Sequence, residues 1–345
     1  MAPPIPPPGI WVPSITLFNP SSDKIDLPSQ SLYFKYLASP AIGLAGLLIL
    51  GTNAETFLLT RSERLALLQC ARESVPAGFP IMAGVSGHST AQVKEFIDDA
   101  VEARADYVLV LPPGYFGPRG PEGGMKMVEQ FFDDIATYSP LPVLIYNFPG
   151  VCNGIDLSSS FITKLAKKWP KKVVGCKLTC GSVAKITRLA ADLDPKEFAI
   201  FGGQSDFLVG GLAAGSSGCI AAFGNVMPRG LVKVYEDWMR AEAVGDKKRK
   251  GEILTRHGRL AKVEEHLKAD GIAAVKYAAG LSTAVRARVV KVSYVTGDGG
   301  NGKGEELFRP RKPYLEVGEE TKRRIREAVD QGFELGLDPP MGRDC

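Results

Sequence analysis

"KKVVGCKLTCGS", residues 171–182, poses the question on which the fold turns. Val173 and Val174 open a short apolar run, of the kind that is buried on both faces of a parallel sheet. The run ends on one lysine, Lys177, and Gly181 follows. A lysine at the end of a buried strand has three readings: part of a metal or redox motif with Cys176 and Cys180, a snorkelling or ion-paired side chain, or a nucleophile. The cysteines stand four apart rather than three, so no CxxC pair is formed. They read as packing residues.

Seven more runs of the same character surround this one: residues 10–18, 47–50, 79–83, 107–111, 142–146, 198–201 and 218–222. Helical patterns separate most of them. Residues 59–74 place Thr60 three positions before Glu63, a capping box in which each side chain bonds the other's free backbone N–H. Residues 89–105 carry apolar side chains at 93, 96, 97, 100 and 101, one helical stripe. Further helices fit residues 124–138, 158–168, 183–191 and 205–214. Eight strands alternating with helices predict an α/β fold, a TIM (β/α)8 barrel. A doubly wound open sheet is the alternative, but no GxGxxG follows the first strand.

After residue 225 the pattern is helical only, at 231–243, 247–268, 270–280 and 319–333. The chain therefore divides into a proline-rich arm (1–8), the barrel (9–225) and a C-terminal helical region (226–345), with a flexible Gly-rich loop at 296–304.

Composition limits the partners. Lys and Arg total 42 against 38 Asp and Glu, a net charge of +4, and the densest basic run, 247–250, reads as a solvated helix face rather than a nucleic-acid patch. No apolar run is long enough to span a membrane. The start, MAPPIPPPG, lacks the basic and apolar regions of a secretory signal, and six cysteines form no dense framework. These features suggest a cytoplasmic location. His88, His257 and His266 are not at metal-ligand spacing, so no metal or other cofactor is expected.

In a barrel, functional side chains stand at the C-terminal ends of strands. Those ends read GTNAE (51–55), PPGYFGP (112–118), YNFPG (146–150), Lys177, GGQSD (202–206) and AAFGN (221–225). A lysine taken out of water favours its neutral amine, the form that attacks a ketone carbonyl. Tyr146 offers a phenol for the proton transfers of imine chemistry, Thr52 a hydroxyl beside consecutive backbone N–H groups, and Tyr115 a second phenol. Each is weak alone; together they turn Lys177 from a surface lysine into a candidate nucleophile.

The combination GTNAE (51–55), LTxxER (59–64), YNxP (146–149), GxK (175–177) and GCIAAFGNVxP (218–228) resembles the dihydrodipicolinate synthase / N-acetylneuraminate lyase family of Schiff-base aldolases and lyases. The resemblance covers residues 9–281, with a weaker match at FRPRKPY (308–314). It implies Lys177 as the imine-forming lysine, Tyr146 as its proton relay, Thr52 and Asn53 as the pair holding the keto-acid carboxylate, and Tyr115 as a tyrosine lent to a neighbouring subunit. It further implies Ser205 and Asp206, beside Gly203 in the GGQSD turn, as contacts to substrate hydroxyls, and the Ile220 backbone as a contact to the pyruvoyl group. Homotetramers built from dimers are implied too.

Departures narrow the activity. The family's synthases carry an arginine two residues past the YNxP proline, where Val151 stands here. Ala54 replaces a glycine, and Gly114 precedes Tyr115 where a second tyrosine is usual. Lysine-pathway condensation therefore ranks below a metal-independent aldolase that cleaves a 2-oxo-3-deoxy sugar acid or 4-hydroxy-2-oxoglutarate to pyruvate and an aldehyde, as in fungal members. A dehydratase using the same imine, a silent sugar-acid binding protein, and a phosphate-binding barrel signalled by GGQS and GSSG are the alternatives.

Overall fold

The computed structural model describes residues 5–115, 124–290 and 305–339. Eight parallel strands close a barrel in chain order: β1 (Gly9–Pro13), β2 (Gly46–Ile49), β3 (Ile81–Gly84), β4 (Tyr107–Val110), β5 (Val143–Asn147), β6 (Val173–Leu178), β7 (Ala199–Gly202) and β8 (Gly218–Ile220). Strand β8 pairs back to β1 through Ile10 opposite Cys219. Every strand residue is buried, which explains why each strand reads as an unbroken apolar run. The barrel interior is filled rather than hollow. Trp11 projects into it, meeting the ring edges of Tyr107 and Phe201 at centroid distances of 6.1 and 6.2 Å. Gly46 makes room for that indole: a Cβ there would lie 2.4 Å from it.

The outer layer holds α1 (Leu27–Leu37), α2 (Arg61–Ser74), α3 (Thr90–Glu102), α4 (Met125–Tyr138), α5 (Ser159–Lys168), α6 (Val183–Asp192), α7 (Leu208–Ala213) and α8 (Pro228–Val244). Their starts are chemically marked. The Thr60–Glu63 capping box at α2 forms as expected, and Ser89, Ser158 and Ser182 cap α3, α5 and α6. Helix α4 shows the packing rule: Val128, Phe131, Phe132 and Ile135 line its inner face, each burial stabilising by about 1.5–3 kcal/mol.

Helix α1 is absent from the sequence-based expectation, and the predicted first strand (10–18) ends early at Pro13. The two differences share a cause. Beyond Ser14, whose N–H still bonds to the Leu48 carbonyl of β2, the chain leaves the sheet, and the side chain of Gln30 in α1 serves its backbone instead. Gln30 accepts from the Leu17 N–H at 2.9 Å and donates to the Ile15 carbonyl at 3.1 Å. The apolar alternation of residues 14–18 thus does not form a strand. Pro28 in the first turn of α1 hid a helix that Asp26 caps.

Beyond the barrel come α9 (Lys247–Lys268), α10 (Gly271–Leu281), the single turn α11 (Thr283–Arg286) and α12 (Glu319–Glu334). Helix α8 packs on β1 and on α9, and α12 packs on α9 and α10. The expected loop at 296–304 lies outside the described residues. Within them, no helix is long and apolar enough to cross a membrane.

Candidate active site

At the C-terminal mouth of the barrel lies a cavity of about 230 Å³. It collects residues from four strand ends, Thr52 and Asn53 after β2, Tyr146 and Phe148 at β5, Lys177 and Thr179 at β6, and Gly203 and Gln204 after β7. Ala222 and Phe223 after β8 complete the barrel side, while Glu264, Leu267 and Lys268 from α9 and Ile272 and Val275 from α10 cover the opening.

Tyr146 and Lys177 are register partners on adjacent strands, so their side chains emerge side by side. The Lys177 Nζ stands 4.3 Å from the Tyr146 ring centroid, and the Tyr146 hydroxyl is 3.4 Å from Thr52 Oγ1. Lys177 is 2% exposed. The contrast with Lys276 on α10 is informative. Lys276 is as deeply buried, but it donates to Glu55 Oε1 at 2.7 Å, whereas Lys177 has no ion-pair partner among the described residues. Of these two lysines, one is a structural ion and the other is an amine facing a cavity.

The turn that presents Thr52 and Asn53 is held from outside the barrel. It closes with Glu55 in a left-handed conformation, φ 57°. The Ala54 carbonyl accepts from Thr16 Oγ1 at 2.8 Å. Glu55 Oε2 accepts from the Arg311 backbone N–H at 2.6 Å. The Arg311 guanidinium in turn grips Glu63 at 2.8 and 2.7 Å and holds the Glu63 carboxyl down at about 2. The FRPRKPY segment thus belongs to the architecture of this turn.

Of the residues the sequence singled out, the structure brings Lys177, Tyr146, Thr52, Asn53 and Gly203 to one cavity. Gly203 is required there, because a Cβ would sit 2.0 Å from Thr179 Oγ1. Ser205, Asp206 and Ile220 do not line the cavity. Ile220 is fully buried in β8. Ser205 donates through its N–H and Oγ to the two Glu264 oxygens at 3.2 and 2.6 Å, and its carbonyl meets His257 Nε2 at 2.7 Å. Asp206 is ion-paired with Lys268. Tyr115 is 74% exposed and meets the His88 ring edge at 5.7 Å, apart from the cavity.

Sequence reasoning missed Thr179, Glu264 and Lys268. Thr179 was accessible, since it lies two residues past Lys177 and so on the same face. Glu264 had a subtler signal. Ile253, His257, Leu260, Glu264 and Leu267 are spaced 4, 3, 4, 3 along α9, placing a carboxyl in the buried stripe. Burial raises that carboxyl to about 7, against hydrogen bonds from Ser205 that lower it.

Comparison with known proteins places these features in a family. A model of the dihydrodipicolinate synthetase family matches residues 9–293. The chain is 50% identical, over 98% of its length and 100% of the other's, to a Coccidioides immitis (strain RS) protein that carries the provisional name 4-hydroxy-2-oxoglutarate aldolase, mitochondrial. It is 39% identical to the L-threo-3-deoxy-hexylosonate aldolase of Hypocrea jecorina, over 69% of this chain and 77% of that one. A crystal structure of a Coccidioides immitis protein assigned to the dihydrodipicolinate synthase family superimposes with a TM-score of 0.83 at 48% identity, covering 98% of this chain and 100% of that one. The expected cytoplasmic location is corrected by these relatives, since the first of them is named as mitochondrial. That expectation rested on the lack of a secretory signal, which does not separate cytoplasm from mitochondrion. The barrel, the lysine at the end of β6 and the family match agree: this chain belongs to the dihydrodipicolinate synthetase family.

Proposed function

We propose that the protein is a carbon–carbon lyase that releases pyruvate from a 4-hydroxy-2-oxo acid through an imine on Lys177. The observation that carries the reading is a buried amine, unpaired among the described residues, facing a cavity beside the Tyr146 phenol and Thr52 hydroxyl. The aldolase names of its relatives support the lyase class.

The Lys177 amine adds to the C2 carbonyl, and loss of water forms the protonated imine. Tyr146, bonded to Thr52, passes protons to and from the carbinolamine oxygen. Thr52, Asn53 and the backbone N–H groups of their turn receive the C1 carboxylate. Tyr146 then takes the proton of the C4 hydroxyl. The C3–C4 bond breaks, its electron pair moves to the imine nitrogen as an enamine forms, and the aldehyde leaves. Protonation at C3 and hydrolysis release pyruvate and restore the amine.

We place the protein in the mitochondrion, following the name of its Coccidioides relative, and in a homotetramer where Tyr115 reaches a neighbour's site. The exposure of Tyr115 alongside Phe57 and His88 supports that arrangement, and light scattering of the purified protein tests it. The activity is tested by coupling pyruvate release to a lactate dehydrogenase readout on 4-hydroxy-2-oxo acids. Turnover by the wild type and none by Lys177→Met is expected. Equal turnover by the two proteins overturns the imine.

A further inference from the structure

The reaction leaves open what lies beyond C4, and the far wall of the cavity bears on it. In the closed barrel, β2 stands opposite β6. A 2-oxo acid bonded to Lys177 through C2 with its carboxylate at Thr52 and Asn53 therefore points C1 toward β2 and leaves C3 and C4 to extend toward the rest of the mouth. Tyr146 and Phe148 close the β5 side with aromatic rings. The polar wall left for the tail consists of Thr179, Gln204, Glu264 and Lys268.

These groups suit hydroxyls. Each Glu264 oxygen accepts one hydrogen bond from Ser205 and keeps a lone pair free, so the carboxyl is oriented yet still able to accept. Thr179 Oγ1 is buried on the same wall with no hydrogen-bond partner. The groups do not suit a second carboxylate. The wall's cation, Lys268, is already held by Asp206 and lies 3.4 Å from Gln204 Oε1. Asp206, outside the cavity lining, offsets that charge, and the imidazole of His257 is engaged with the Ser205 carbonyl.

Resting on the lyase reading above, we propose that Glu264 is a specificity-determining residue that accepts from substrate hydroxyls, so that the site takes 2-oxo-3-deoxy acids with an uncharged polyol tail in preference to 4-hydroxy-2-oxo acids that end in a second carboxylate. Above about pH 7, where Glu264 is ionised in the folded chain, a carboxylate brought against it in a partly desolvated pocket meets repulsion that a hydroxyl does not.

The test measures kcat/KM at pH 8, where Glu264 is ionised, for two probes on the same preparations: a six-carbon 2-oxo-3-deoxy acid with hydroxyls at C4 to C6, and 4-hydroxy-2-oxoglutarate. The wild type prefers the polyol probe. Glu264→Gln keeps an acceptor for Ser205 but removes the charge, and shifts the ratio toward the dicarboxylate by about tenfold or more. Because the ratio is taken within each protein, a loss of folded enzyme cancels. A wild type that prefers the dicarboxylate, or a Glu264→Gln ratio equal to that of the wild type, overturns the assignment while the lyase reading stands. Pyruvate from neither probe overturns the lyase reading, and this assignment with it.

Discussion

Replacing Lys276 by methionine tests whether the C-terminal helices hold the substrate-facing turn. Lys276 and Glu55 are both fully buried, and the ammonium donates to Glu55 Oε1 at 2.7 Å. Burial disfavours the charged amine and pulls its pKa down, while Glu55 opposes that shift. Methionine fills the volume of the lysine stem but leaves Glu55 with one oxygen unpaired, its other still receiving the Arg311 N–H at 2.6 Å. Removing one partner of a buried pair costs about 3–5 kcal/mol, a large part of the roughly 5–15 kcal/mol that holds a domain folded. At about 2 °C per kcal/mol for a large domain, the melting temperature falls by roughly 6–10 °C. Neutralising Glu55 as well, in Glu55→Gln/Lys276→Met, removes the stranded charge and recovers most of the loss. Urea unfolding of wild type, both single variants and the double variant gives the coupling energy. Because Glu55 closes the turn bearing Thr52 and Asn53, KM for the 2-oxo acid rises in the single variant more than kcat falls. A Lys276→Met cost under about 1 kcal/mol, additive with Glu55→Gln, refutes the claim that this pair secures the turn.

Three other outcomes are expected. Tyr146→Phe keeps the ring beside Lys177 and removes the relay, lowering kcat by about 10²–10⁴-fold with little change in melting temperature; a loss of only a few-fold assigns the proton transfer elsewhere. Gly203→Ala sets a methyl 2.0 Å from Thr179 Oγ1 and displaces the end of β6, so imine formation fails although the barrel stays folded by circular dichroism; wild-type turnover would contradict the packing. Glu264 has its folded value raised to about 7 from 4.5, so the folded chain holds a proton that the unfolded chain has released. Its contribution to stability is therefore present below pH 4.5 and lost as pH rises through 7, amounting to about 3 kcal/mol. The advantage of Glu264→Gln over the wild type in urea accordingly grows from pH 4 to pH 8, and a flat difference contradicts the burial argument.

The barrel was legible because strands buried on both faces need apolar residues at every position, and the chain repeats that pattern eight times. Where a stretch obeyed a different rule, the reading failed. Residues 15–17 look like strand, but the Ile15 carbonyl and the Leu17 N–H bond to a side chain, Gln30, which no periodicity reveals. The nucleophile was legible only in company. Lys177 and Lys276 are each a lone lysine among apolar neighbours, and only three-dimensional contact distinguishes the paired one from the one facing a cavity. Glu264 is one of many charges on α9, and its place in the buried stripe becomes decisive only once that stripe faces the barrel mouth.

The account depends most directly on the amine of Lys177. Incubation with pyruvate, reduction with borohydride and peptide mass spectrometry read it out. A reduced pyruvyl group on the peptide containing Lys177, and none on the peptide containing Lys276, is the predicted result. Labelling of another lysine, or of none, would contradict the assignment of Lys177 as the nucleophile.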